Sequence, residues 1–84
     1  MVAKQIIFSK QASQTLARIP VNERRRITRK IEQYAEDPRS QANNVVKLQD
    51  RPGYRLRVGD WRVIFDEYDN VLDIQKIASR GSVY

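Results

Sequence analysis

Arginine supplies most of the chemistry this chain could perform. Within residues 54–65, Arg55, Arg57 and Arg62 alternate with apolar side chains around a Gly59-Asp60 pair. A guanidinium stays charged at any working pH and presents a planar fork of N–H donors that matches phosphate oxygens. Several such forks fixed on one surface can hold the charge that builds on a phosphate during a displacement. The sequence has no histidine and no cysteine, which excludes a Ser-His-Asp or Cys-His nucleophile. Asp60, Asp66, Glu67, Asp69 and Asp73 are spread over turns and strands with no ligand spacing, so neither a metal site nor a cofactor is expected.

Composition points the same way. Sixteen Lys and Arg stand against ten Asp and Glu, a net charge of +6 on 84 residues, and Arg outnumbers Lys eleven to five. Solubility alone is served as well by Lys, whereas an arginine excess favours a polyanionic partner. A chain this short buries only about 60% of its unfolded surface, which implies one domain over 1–84 with a thin core. Without cysteine there is no disulfide to brace it, an arrangement compatible with a reducing cytosol. The first residues lack the layout of a signal peptide, and no apolar run reaches the roughly 20 residues of a membrane span. A cytoplasmic protein without membrane contact is the expectation.

The elements that must position the arginines follow from periodicity. Residues 3–8 read as a strand. Ser9 caps a helix in which Ala12, Leu16 and Ile19 share a face, and Pro20 ends it. A second helix is predicted from an Asn22 cap to about Glu36, burying Ile27, Ile31 and Tyr34 or Ala35, with Asp37-Pro38 as its stop. After a polar connector, 39–44, come four short strands at 45–49, 54–58, 61–66 and 71–78, separated by turn residues. The order β-α-α-β-β-β-β predicts an α+β fold: an N-terminal strand and α-hairpin packed on a mainly antiparallel sheet of four to five strands.

Gly59-Asp60 as a two-residue turn, glycine first, fixes the register of the hairpin. Val58 then faces Trp61, Arg57 faces Arg62, Leu56 faces Val63 and Tyr54 faces Phe65. One face is wholly apolar; the other carries Arg55, Arg57, Arg62 and Ile64. Like charges directly opposite destabilise a strand pair. Either the guanidinium groups splay into water over their own stems, or the cluster is kept because it binds phosphate. The lack of acids between them favours phosphate.

With these residues in place, the chain resembles the RelE/ParE toxin superfamily over nearly its whole length. The resemblance is carried by the Val46-Lys47-Leu48 segment, by YRLRVGDWRVIF at 54–65, and by a closing segment in which Arg80 is followed by Tyr84. It implies the RelE-like fold and a toxin that cuts translated mRNA on the ribosome without a metal. It also implies a RelB-like antitoxin as partner, in a toxin–antitoxin hetero-oligomer. By position it assigns catalytic roles to Arg55, Arg57, Arg62, Arg80 and Tyr84. Tyr84 could accept the 2′-hydroxyl proton or stack on a base, and Lys47 could touch phosphate or carry a proton; both pairs of roles stay open. The basic run Arg24-Arg25-Arg26 with Arg29 and Lys30 has two readings as well, a solvated face beside Glu23, Glu32 and Glu36, or a dock for ribosomal RNA. Trp61 is either an antitoxin anchor, as Tyr68 could be, or core. Ser79 stands where many relatives carry histidine. That keeps a second reading open, the ParE-like gyrase poison, a binding toxin that does not cut RNA.

Overall fold

The computed structural model describes residues 4–81. Strand β1 (Gln5–Phe8) leads into helix α1 (Lys10–Arg18), whose Ser9 cap accepts a hydrogen bond from the Ala12 amide at 3.0 Å. Ile19 is already extended ahead of Pro20, as the ring of a following proline demands. Helix α2 (Val21–Glu36) starts sooner than Asn22: Pro20 occupies the cap, without a side-chain hydrogen bond, and Asn22 lies exposed in the first turn. Proline fixes its own φ and needs no amide partner, so it ends one helix and opens the next.

The polar connector is not loose. Pro38–Asn44 winds into a 3₁₀ segment, entered through Asp37, whose carboxylate accepts the Arg39 amide. Its Gln41 is buried and donates to Gln33 Oε1 at 3.0 Å. Strands β2 (Val45–Lys47), β3 (Tyr54–Val58), β4 (Trp61–Tyr68) and β5 (Val71–Ser79) follow. β2 stops two residues short of the expected end because the Leu48 amide bonds the Gly53 carbonyl, closing the loop back on itself. Gly53 has φ +115°, and a Cβ there would lie 2.8 Å from the Phe65 carbonyl oxygen, so only glycine fits. β4 and β5 run slightly further than expected at their shared turn and at Ser79.

The sheet has five strands in the order β1-β5-β4-β3-β2; β1 is parallel to β5 and the other pairs are antiparallel. Both helices pack on one face. Ala12, Ile19, Ile27, Ile31, Tyr34 and Ala35 meet Leu56, Val58, Val63, Phe65, Leu72, Ile74 and Ile77 in a continuous core. Each fully buried side chain of this size contributes roughly 1.5–3 kcal/mol. Phe65 is its centre, with the Tyr34 and Tyr54 rings at 5.0 and 5.5 Å. Trp61 belongs to this side, packed against the core with its indole N–H donated to Glu23 at 3.3 Å. Tyr68 is half exposed at the far end of β4. Among the described residues no helix is long and apolar enough to cross a membrane.

Candidate functional site

The β3–β4 hairpin has the register that the two-residue turn dictates: Val58 opposite Trp61, Arg57 opposite Arg62, Leu56 opposite Val63 and Tyr54 opposite Phe65. Gly59 sits at φ +59° while Asp60 does not take positive φ, as a turn with glycine in first place requires. The outer face therefore holds Arg55, Arg57 and Arg62. Ile64 lies among them but is buried, covered by Leu48 and Ala78, so the arginine stems rest on a small apolar floor.

A β-bulge adds Arg80 to this face. On β4, Ile64 and Phe65 are consecutive; on β5 their partners are Lys76 and Ile74, so Gln75 is skipped. The extra residue switches the alternation. Leu72 and Ile74 point into the core, Ile77 does so again, and Ala78 falls opposite Arg62 on the outer side. α1 holds this irregular stretch. Ser9 donates its hydroxyl to the Gln75 carbonyl at 2.7 Å, and the Gln11 side chain takes the Ile77 amide and reaches its carbonyl. One step past β5, the Arg80 amide bonds the Asp60 carbonyl at 2.7 Å, which docks Arg80 against the hairpin turn.

Arg57, Arg62 and Arg80 line one open basin of about 500 Å³, to which α2 contributes Arg26 and Lys30; Asp60 is the one carboxylate in its lining. Neutral groups orient the guanidinium forks. Arg62 donates through one terminal nitrogen to the Gly59 and Trp61 carbonyls, both at 2.9 Å, clamping the turn from which it springs. Arg57 donates to Asn44 Oδ1 at 3.3 Å, and Asn44 is in turn held by Gln41. Among the described residues the ion pairs are Lys4–Glu67 and Arg39–Asp37, neither of them in the basin. The Arg62 guanidinium is pulled below its ordinary value, first by desolvation and then by the charges of Arg55, Arg80 and Arg57, with Asp60 opposing. Such a cluster is destabilised by itself and relieved by an anion.

Other expected residues fall elsewhere. Arg55 and Lys47 line a separate concavity of about 550 Å³ at the β2 edge, along with Val46 and the 48–50 loop. Register puts Lys47 beside Tyr54, on the side of the sheet that faces the helices, so it does not share the outer face with Arg55. Of the helical run, Lys30 reaches the basin, while Arg24, Arg25 and Arg29 flank a shallow groove with Val21, Thr28 and Glu32. Tyr84 lies outside the described residues. Asn44 is the site residue that sequence reasoning passed over, and Arg26 was read only as one of the basic run on α2. The i, i+4 spacing of Arg26 and Lys30 signals a shared helix face, but no pattern in the sequence says which flank of that face meets the hairpin. Among the described residues no group of three or more His, Cys, Asp or Glu could hold a metal ion.

This fold has counterparts among known proteins. Residues 6–84 match the family described as ParE toxin of type II toxin-antitoxin system, parDE. No curated protein matches the chain. Among solved structures, it is similar to the archaeal RelE–RelB complex from Pyrococcus horikoshii OT3, with 27% identity and a TM-score of 0.77 over 98% of this chain and 100% of that one. It is also similar to the E. coli RelBE toxin–antitoxin complex, with 23% identity and a TM-score of 0.74 over 92% and 96% of the two chains. E. coli YafQ gives a TM-score of 0.65 at 15% identity, over 96% and 98% of the chains, a likeness of fold.

Proposed function

Because the chain belongs to the ParE toxin family of type II toxin–antitoxin systems, within the RelE/ParE superfamily, we propose that it is an endoribonuclease toxin that cuts mRNA under translation by the ribosome. The observation that carries this reading is the convergence of Arg57, Arg62 and Arg80 on one basin where neutral groups, not carboxylates, hold the Arg57 and Arg62 forks.

In the proposed reaction the 2′-hydroxyl of a nucleotide attacks the adjacent phosphorus. The bond from phosphorus to the 5′-oxygen breaks, leaving a 2′,3′-cyclic phosphate and a free 5′-hydroxyl. The 2′ proton passes to a base, and the leaving oxygen takes one up. Arg57, Arg62 and Arg80 stabilise the negative charge of the crowded phosphorane, which develops where their donors already point. Arg62 is suited to the centre of this group because two carbonyls fix it and its remaining N–H donors are left for phosphate oxygens. Arg55 supports it through the field on the same face. Tyr84 is the proton acceptor in this reading, since positive charge favours a phenolate. Arg24, Arg25, Arg29 and Lys47, outside the basin, contribute phosphate contacts to the ribosomal surface. The RelE relatives are found with RelB antitoxins, and a RelB-like antitoxin that assembles with this chain as a hetero-oligomer is part of the same proposal.

The test is to add purified protein to a translating extract and to map the ends of a reporter mRNA, beside a gyrase reaction on supercoiled DNA. Discrete cuts in the translated message, absent with Arg62→Ala, are expected. The second reading, a gyrase poison, is favoured by the match to the ParE family description and by Ser79 in place of histidine. Intact message together with gyrase-dependent DNA breaks would establish it and sink the nuclease.

A further inference from the structure

The sheet arginines account for one phosphate, yet the basin has two further cations. Arg26 and Lys30 stand one turn apart on α2 and line the same basin as Arg57, Arg62 and Arg80. Like charges at i, i+4 weaken a helix, and among the described residues no ion pair relieves these two. None of the three carboxylates of α2 lines the basin: Glu23 accepts the Trp61 indole N–H, Glu32 lines the groove with Arg24 and Arg25, and Glu36 ends the helix. Arg26 is also seated closely against the hairpin. A Cβ on Gly59 would come within 2.9 Å of its Nη2, so the glycine that permits the turn also leaves room for this guanidinium at the tip.

Five cations along one open basin, Arg26, Lys30, Arg57, Arg62 and Arg80, suit a chain of phosphates better than a lone one. We propose that Arg26 and Lys30 form a subsite for the phosphate that flanks the scissile one, so that the site's minimal ligand is an oligonucleotide. This rests on the reading of the basin as an RNA site and adds to it a binding role for α2. Arg26 and Lys30 hold the strand; they touch no reacting atom.

The experiment measures binding of an uncleavable 2′-O-methyl RNA trinucleotide and of a nucleoside 3′-monophosphate, each across a salt series, to the folded full chain. Arg26→Ala is expected to weaken trinucleotide binding about tenfold and to lower its salt slope by about 0.7, with monophosphate binding unchanged. Arg26→Lys should keep the slope, since the charge remains. Arg62→Ala should weaken both ligands. If Arg62→Ala weakens the trinucleotide while Arg26→Ala and Lys30→Ala leave it untouched, the flanking subsite is wrong and the basin reading survives. If Arg26→Ala weakens both ligands equally, Arg26 serves the scissile phosphate and the subsite is again wrong. If neither Arg62→Ala nor Arg26→Ala alters RNA binding, the basin reading falls with it.

Discussion

The two ends of strand β4 handle charge in opposite ways. At its start Arg62 faces Arg57; four residues on, Asp66 faces Asp73, about 13 Å away along the strand. Both are like charges directly opposed, which a sheet ordinarily avoids. The acidic end has a cation of the chain beside it, on Glu67, although Asp66 and Asp73 themselves make no ion pair among the described residues. Asp66 accepts the Glu67 amide at 2.9 Å, and Asp73 pushes the Tyr68 hydroxyl above its ordinary range by its charge. Glu67 turns to the helix side, where it takes the Tyr34 hydroxyl at 2.6 Å and pairs with Lys4 at 3.7 Å. The basic end is oriented by carbonyls and an amide, and its charge is left for something else. Internal pairing marks a structural device, and orientation without neutralisation marks a ligand site.

The sharpest way to break this contrast is to remove one member of each end. Arg62→Ala should lower the mRNA cleavage rate about 100- to 1,000-fold, the usual loss for one donor aimed at a transition-state oxyanion. Its thermal midpoint should stay close to that of the parent, because relief of the repulsion from Arg57 offsets the two hydrogen bonds lost at the turn. Cleavage at the parental rate would remove the arginines from the chemistry.

Glu67→Ala, on the same strand, should do the reverse. It strands the hydroxyl of Tyr34, which is 6% exposed, and the ammonium of Lys4. The cost is about 1–3 kcal/mol of stability, read by urea unfolding, with cleavage by the folded fraction unchanged. A loss of cleavage per folded molecule would mean that the two ends are coupled.

The same device predicts an alkaline limb. Burial first, and then the Glu67 hydrogen bond and charge, push the Tyr34 hydroxyl up from its ordinary value near 10. The folded state therefore favours the protonated phenol. Below pH 10 the linked contribution is fully present. As pH rises past 10 the unfolded tyrosine ionises first, so stability falls. Tyr34→Phe lacks this linkage, and the gap between parent and variant in thermal melts should shrink from pH 9 upward to 11. A constant gap would remove Tyr34 as the cause.

Local chemistry made much of this legible in advance. A two-residue turn leaves one choice of parity, so the hairpin register and the arginine face follow from Gly59-Asp60 alone. Ser9 and the Ile27–Ile31 stripe are equally local signals. Arg80 was different, because its place depends on the bulge at Gln75, and the bulge depends on Ser9 and Gln11, 66 positions away in sequence. The spacing Leu72, Ile74, Ile77 holds a trace of it, a strict alternation broken once. The face of Lys47 was not legible for a related reason: only the pairing with Tyr54 sets it on the side away from Arg55. Arg26 was hidden in a run of cations that periodicity divides into faces but cannot aim at a partner. The 3₁₀ segment looked like a connector because its order comes from Gln33 on α2, eight residues before Gln41.

The smallest expected effect tests whether the basin is built against stability. Arg57 lies opposite Arg62 and is itself exposed, with an amide oxygen at 3.3 Å as its acceptor. Arg57→Thr removes the repulsion and puts a β-branched residue on a strand, where such residues pack well. Stability should rise by about 0.2–1 kcal/mol, while cleavage falls because a phosphate donor is gone. A gain in one property against a loss in the other is the signature of charge retained for a ligand. At the acidic end, where Asp66 already serves the Glu67 amide, Asp66→Thr should show no such exchange, since that carboxylate takes part in no cleavage step. If Arg57→Thr destabilises the fold instead, Arg57 belongs to the structure and the contrast between the two ends of β4 dissolves.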